Sequence, residues 1–147
     1  MKTLLVLAAA TLALPAQAAP TNADARQVVE RYYAAIERGD FPAAWRAWSP
    51  TRAGTGANGQ TYAQFVRGYA GTRHTSVVAG PPTDGDAGAG SIYVTVPVEV
   101  RAVTKSGERQ RFVGRYVLRR INGVDGATPW QLGWHFASAS LRRVPAR

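Results

Sequence analysis

Two alternating runs meet at a glycine-containing turn, and this pair limits the fold more than any other feature of the chain. From Ile92 to Thr104, Val94, Val96, Val98 and Val100 fall on one side, with Thr95, Glu99 and Arg101 on the other. From Arg109 to Ile121, Phe112, Gly114, Tyr116 and Leu118 oppose Arg111, Arg115 and Arg119. A period of two sustained this long describes strands with one buried face. The connection Lys105-Ser106-Gly107 sets their register. A two-residue turn at Ser106-Gly107 pairs Thr104 with Arg109 and puts the valines on the arginine side. A three-residue loop with Gly107 in the left-handed region pairs Thr104 with Glu108 instead. Val100 then faces Phe112, Val98 faces Gly114 and Val96 faces Tyr116, which separates an apolar face from an arginine-rich one. This second register is the expected one.

Upstream the period is helical. Thr21-Asn22 are N-cap types, Asp24 suits the positive end of a helix, and Ala25, Val28, Val29, Tyr32, Tyr33 and Ile36 form a stripe ended by Gly39. Asp40 caps a second, short helix, where Pro42 is tolerated because first-turn amides have no intrahelical partner. Trp45 and Trp48 share its buried face, and Ser49-Pro50 ends it. Thr61-Tyr62-Ala63-Gln64 has the form of a capping box, opening a third helix with Tyr62, Phe65, Val66 and Tyr69 on its apolar face.

Thr72 to Ala79 reads as a weak first strand and Pro81 through Gly90 as a loop. Trp130 to Leu141 reads as a last strand, with Trp130, Leu132, Trp134 and Phe136 on one face and His135 on the other. The expectation is an α+β fold: three N-terminal helices packed on a strongly bent four-stranded antiparallel sheet. Pro97 predicts a bulge or an unpaired edge, and Gly114 predicts sharp bending or the close approach of another group.

Lys2, an apolar stretch of eleven residues from Leu4 to Leu14, and Ala16-Gln17-Ala18 have the pattern of a secretory signal peptide cut after Ala18. The stretch is well short of the ~20 residues of a membrane span, so no transmembrane anchor is expected. Residues 1–18 are expected to be the signal peptide and residues 19–147 a single domain, exported to a periplasm or secreted. The absence of Cys excludes disulfides, so the core alone must hold that domain. From Ala19 to Val100 seven Arg balance seven acids, whereas from Arg101 onwards ten basic residues face only Glu108 and Asp125. A positive field of this kind favours anionic partners. Nucleic acid fits the charge but not export, and is not expected.

The segments Val28 to Pro50 (VVERYYAAIERGDFPAAWRAWSP) and Arg109 to Ser140 (RQRFVGRYVLRRINGVDGATPWQLGWHFASAS) resemble the nuclear transport factor 2-like (SnoaL-like) α+β cone. The shared pattern is helix, Gly-Asp, short aromatic helix, then an antiparallel meander ending in Trp. The chain looks most like exported bacterial members of no assigned activity. The resemblance implies a cone that can hold a ligand, and a sheet face that such proteins often use for dimer contacts. Its enzymes, such as ketosteroid isomerase and the dehydratases, carry carboxylates, His or Tyr inside the cone. Here the inward positions hold no carboxylate or His. Tyrosine, near pKa ~10, is a poor base at neutral pH.

Other motifs have structural readings. Gly54 to Gly59 matches G-x-G-x-x-G but follows a helix and Pro50, not a strand, and reads as a loop. Asp84-Gly85-Asp86 lacks the later ligands of a calcium loop and reads as a surface turn. Asp40 is a helix cap. With His74 and His135 the only histidines and no Cys, no metal and no cofactor are expected. No catalytic residue is assigned.

Two candidate surfaces remain. Tyr32, Trp45, Phe65, Tyr69, Phe112, Tyr116 and Trp134 would line an aromatic cavity, with the gap at Gly114 giving room. Arg101, Arg109, Arg111, Arg115 and Arg119 would form an anion-binding face, the last three spaced ~13 Å apart in turn along one strand. The expected function is an exported, non-catalytic domain binding a partner protein or a small apolar ligand. The alternatives are a cone enzyme of isomerase or dehydratase type, with Asp40 or His135 turned inward, and an adaptor for anionic surfaces. A homodimer through the sheet is the other partner expectation.

Overall fold

The computed structural model describes residues 18–49 and 59–146. Residues 1–17, which carry most of the leader pattern, lie outside them, as do positions 54–58 of the glycine motif. Helix α1 (Asn22–Glu37) begins where the Asp24 carboxylate accepts from the Thr21 amide at 2.6 Å and the Thr21 hydroxyl at 2.9 Å. Gly39, at φ +72°, turns the chain out of it. Helix α2 (Phe41–Arg46) starts with Ala43 donating to Asp40 Oδ1 at 3.1 Å. Helix α3 (Tyr62–Gly68) carries the reciprocal Thr61–Gln64 capping box.

Five strands follow: β1 (Thr72–Ala79), β2 (Thr83–Gly88), β3 (Ser91–Thr104), β4 (Arg109–Ile121) and β5 (His135–Val144). They form one antiparallel sheet in the order β1-β3-β4-β5, with β2 also paired to β3. The hairpin has the expected register, with Val96 opposite Tyr116, Val98 opposite Gly114 and Val100 opposite Phe112. The Thr104 amide donates to the Glu108 carbonyl at 2.9 Å, and Gly107 sits at φ +91°.

Two expectations need correction. The sheet has five strands, not four, because part of the expected loop after Pro82 pairs with β3 as β2. Thr83-Asp84-Gly85-Asp86-Ala87-Gly88 is exposed throughout and has no apolar alternation to announce it. Backbone pairing to the long β3 accounts for it. Pro97 meets the second of its two expectations, an unpaired edge, while β3 keeps its register against β4 without a bulge. The missing amide falls where β1 has ended and β2 has not begun; the Pro97 carbonyl takes the Gly80 amide at 2.8 Å. The edge is therefore broken opposite the residue that cannot donate.

The second correction concerns the start of the last strand. Trp130 and Leu132 lie in a short helix, α4 (Pro129–Leu132), and β5 begins only at His135. Thr128 and Gln131 form its capping box, with Pro129 in the first turn. β5 then carries a bulge: Val117 faces Ser138 and Leu118 faces Phe136, which leaves Ala137 as the extra residue.

The core lies between α1 and the concave face of the sheet. Val29, Val94, Val96, Leu118 and Phe136 are its fully buried centre. α1 is tied to β1 at its far end, where the Glu37 carboxylate accepts from the Thr75 amide at 2.6 Å and pairs with the His74 ring at 2.9 Å. No helix among the described residues is long and apolar enough to cross a membrane.

Candidate functional site

The inner face of the cone is filled by aromatic rings in mutual contact. Tyr32 stands edge-on to Tyr33 at 5.1 Å and to Phe136 at 4.9 Å, and Tyr116 lies 4.6 Å from Phe136. Phe65 joins this group to Trp45 at 5.2 Å and to Tyr69 at 5.4 Å. The tyrosine hydroxyls satisfy one another: Tyr33 with Tyr116 at 2.7 Å and Tyr32 with Tyr69 at 2.8 Å. Burial pushes all four phenols above their ordinary range. They are hydrogen-bonded core groups and hold their protons at neutral pH.

The gap at Gly114 is closed rather than open. A Cβ there would stand 1.9 Å from the Ser140 carbonyl oxygen, so the missing side chain makes room for the β5 backbone. Phe112 is half-buried at the edge of the core. Trp134 is set apart from the ring group: its indole N–H donates to the Thr21 carbonyl at 2.8 Å, and the Arg120 guanidinium lies 5.3 Å from its ring centre.

Among the described residues, grooves lie beside α4. Trp130 covers the His135 imidazole with 3.6 Å between ring centres, and grooves run past the pair on several sides. One of about 630 Å³ is bordered by Pro20, Asp24, Arg31, Pro129 and Trp134. A second, of about 470 Å³, runs between α1 and α2, with Trp130, Trp134 and His135 on one side and Arg31, Arg38 and Arg46 on the other. Tyr32 and Trp134 are the two expected cavity residues that border this second groove. Tyr69 borders a recess of only about 30 Å³ beside Glu37 and His74.

His135 pairs with Arg119 across the strands, so by register it belongs to the outer face, as the alternation requires. It is nevertheless only 9% exposed, because Trp130 folds over it from α4. Its Nδ1 lies 3.0 Å from the Gly133 carbonyl. A carbonyl can only accept, so Nδ1 carries the proton and Nε2 is left as an acceptor. Burial lowers the imidazole pKa, partly opposed by the Gly133 contact, and favours the neutral ring. Sequence alternation missed this site because Trp130 and Leu132 continue the spacing of Trp134 and Phe136. The Thr128-Pro129-Trp130-Gln131 start signal was the clue to α4.

The arginines of the outer face are less uniform than their spacing suggests. Arg101 and Arg111 face each other across the hairpin and share Glu99, at 2.8 and 2.7 Å. Their guanidinium groups, Arg111 first, hold the Glu99 carboxyl down to about 2. Arg119 donates to the Ser91 hydroxyl at 3.0 and 2.8 Å. Arg109 and Arg115 are exposed. On β1, opposite Glu99, Val78 is 68% exposed. Asp40 serves as the α2 cap. Among the described residues no group of three or more side chains could hold a metal ion.

No family model matches the chain, and no curated protein matches its sequence. Solved structures match its fold. A candidate scytalone dehydratase from Novosphingobium aromaticivorans DSM 12444 is 16% identical, with 81% of this chain and 80% of that chain covered and a TM-score of 0.57. The beta subunit of a candidate aromatic-ring-hydroxylating dioxygenase from the same organism is 11% identical, with 86% and 90% covered and a TM-score of 0.57. A nuclear transport factor 2-like superfamily protein from Salmonella enterica serovar Typhimurium LT2 is 14% identical, with 86% and 95% covered and a TM-score of 0.55. The chain has the nuclear transport factor 2-like α+β fold.

Proposed function

We propose that this protein is an exported, non-catalytic binding domain for a small apolar molecule, held in the groove between α1, α2 and α4. One observation carries the reading: the cone interior is filled by mutually bonded aromatics, while Trp130 and Trp134 face a groove of about 470 Å³. That volume falls in the ~300–1,000 Å³ range of small-molecule sites. Arg31, Arg38 and Arg46 border the groove, so their alkyl stems can cover a ligand while their charges stay in water. Export rests on the leader pattern before Ala18. The exposed Val78 and the neighbouring sheet face suit a second copy or another protein as partner.

The test is a titration with N-phenyl-1-naphthylamine, a neutral fluorescent probe. Saturable binding that quenches tryptophan emission, weakened about tenfold by Trp130→Ala, is the expected result. Absence of saturation with this probe and with a panel of neutral aromatic compounds would sink the reading.

A second reading has its own observation. His135 borders the same groove as Tyr32 and presents a neutral ring with Nε2 free to accept a proton. This arrangement suits a general base, and the fold is shared with a candidate dehydratase. Loss of a measurable proton-transfer activity in His135→Gln, with groove binding intact, would favour this enzyme reading over a binding domain.

A further inference from the structure

On the far side of the Trp130–His135 pair lies a smaller recess, of about 160 Å³, bordered by Arg119, Arg120 and Gln131. Arg119 and Arg120 are consecutive in β4 and point to opposite faces along the strand. At its end both reach this space, which α4 closes from above.

The donors here outnumber the acceptors. Arg119 donates through Nε and Nη2 to a single neutral hydroxyl, that of Ser91. Arg120 reaches the Ile121 carbonyl at 3.4 Å through Nη1, and its Nε is buried with no partner. Neither forms an ion pair with a carboxylate among the described residues, and no acid borders the recess. The Gln131 carboxamide oxygen is engaged by the Thr128 amide and hydroxyl, at 2.8 and 3.1 Å. Its NH₂ is therefore the end left to donate. The Trp134 face, 5.3 Å from the Arg120 guanidinium carbon, helps to orient that side chain.

A buried cationic N–H without an acceptor is unfavourable, and two neighbouring guanidinium groups repel. Arg111, by contrast, has Glu99 at 2.7 Å. The recess is too small for a drug-sized molecule and about right for one compact anionic group.

We propose that the recess between Arg119 and Arg120 binds a small oxyanion, a phosphate or a short carboxylate, whose oxygens accept from the guanidinium and Gln131 N–H groups that border it. Planar guanidinium forks match both anions, which accept from two N–H groups at once. The proposal does not depend on the neighbouring groove, which a neutral probe reports separately.

The experiment is calorimetric titration of the folded protein with sodium phosphate and with sodium benzoate, against sodium chloride at matched ionic strength. Saturable one-to-one binding of either oxyanion is expected. Arg120→Met should weaken it by about tenfold or more, and Lys105→Gln, exposed in the hairpin turn at the other end of β4, should leave it unchanged. Preference for phosphate identifies a phosphoryl group as the ligand chemistry; preference for benzoate identifies the acid end of an organic molecule. Heats no different from chloride, or equal losses in Lys105→Gln and Arg120→Met, would overturn the site. Should Arg120→Met not fold, the Arg120 Nε–H resonance of the unaltered protein decides: it must shift and saturate with the anion, and a stationary resonance refutes the proposal.

Discussion

The Ser140 carbonyl oxygen occupies the space a side chain on Gly114 would need. A Cβ built on Gly114 would lie 1.9 Å from it, with Leu141 Cα at 3.0 Å. Both are backbone atoms of a paired strand and cannot swing aside. Gly114→Ala must therefore push β5 from β4 or strain the hairpin, at a cost of about 3 kcal/mol or more. Gly107→Ala meets nothing within 4 Å but must hold φ +91°, and should cost ~1–2 kcal/mol. Urea denaturation of the two variants should show the larger loss at Gly114; the reverse order would contradict the close approach.

Tyr33 and Tyr116 join α1 to β4 through one hydroxyl pair of 2.7 Å. Tyr116→Phe leaves the Tyr33 hydroxyl buried without that partner, an expected loss of ~1–3 kcal/mol. Adding Tyr33→Phe removes the orphan, so the double variant should be less destabilised than the two single losses summed. Strict additivity in denaturation midpoints would mean that the hydroxyls do not act as a pair. Burial also raises both phenol pKa values in the folded state. Their contribution to stability is complete below the unfolded value near 10 and is lost as pH rises above it. Ultraviolet titration should show them ionising only as the protein opens at alkaline pH.

Glu99 sits between two arginines that would otherwise face each other as like charges. Its carboxyl is held at about 2, below the ordinary value of 4.5. A depressed acid stabilises above its unfolded pKa, and that contribution is lost as pH falls from about 4.5 through 2. Carbon-detected NMR titration of the Glu99 carboxyl should place its midpoint well under that of a free glutamate. In Glu99→Gln, Arg101 and Arg111 lose their shared counter-charge, and adding salt should recover part of any stability lost.

The hairpin was readable because alternation and turn chemistry are compatible. Alternation assigns the faces, and of the two loops that Gly107 allows, only the three-residue one keeps the valines opposite Phe112 and Tyr116. The helices were readable through caps at Thr21, Asp40 and Thr61. β2 was not, since Thr83 to Gly88 buries nothing and is held by backbone pairing to β3. The sites near α4 were hidden for a different reason. Trp130 and Leu132 fall in phase with Trp134 and Phe136, so a helical turn passed for the start of a strand. The cover over His135 and the roof above Arg119 and Arg120 both depend on that turn. Alternation places a side chain on a face; it cannot show what another element lays across it.

His135 provides the pH test of that cover. Its imidazole is 9% exposed, and its pKa is lowered chiefly by burial. The charged groups bordering the surrounding grooves are Arg31, Arg38, Arg46, Arg119 and Arg120, with Asp24 as the acid. Because the folded pKa lies below the unfolded value of 6.5, the unfolded chain takes up the proton first. Stability should therefore fall as pH drops below about 6.5 and level off once the folded ring is also charged. Urea midpoints at pH 8 and pH 5.5 should differ more for the unaltered protein than for His135→Gln, with His74 and the carboxylates common to both. Trp130→Ala uncovers the ring, and its NMR titration should then move up towards 6.5. An unchanged midpoint in Trp130→Ala would show that the stacked indole is not what keeps His135 neutral.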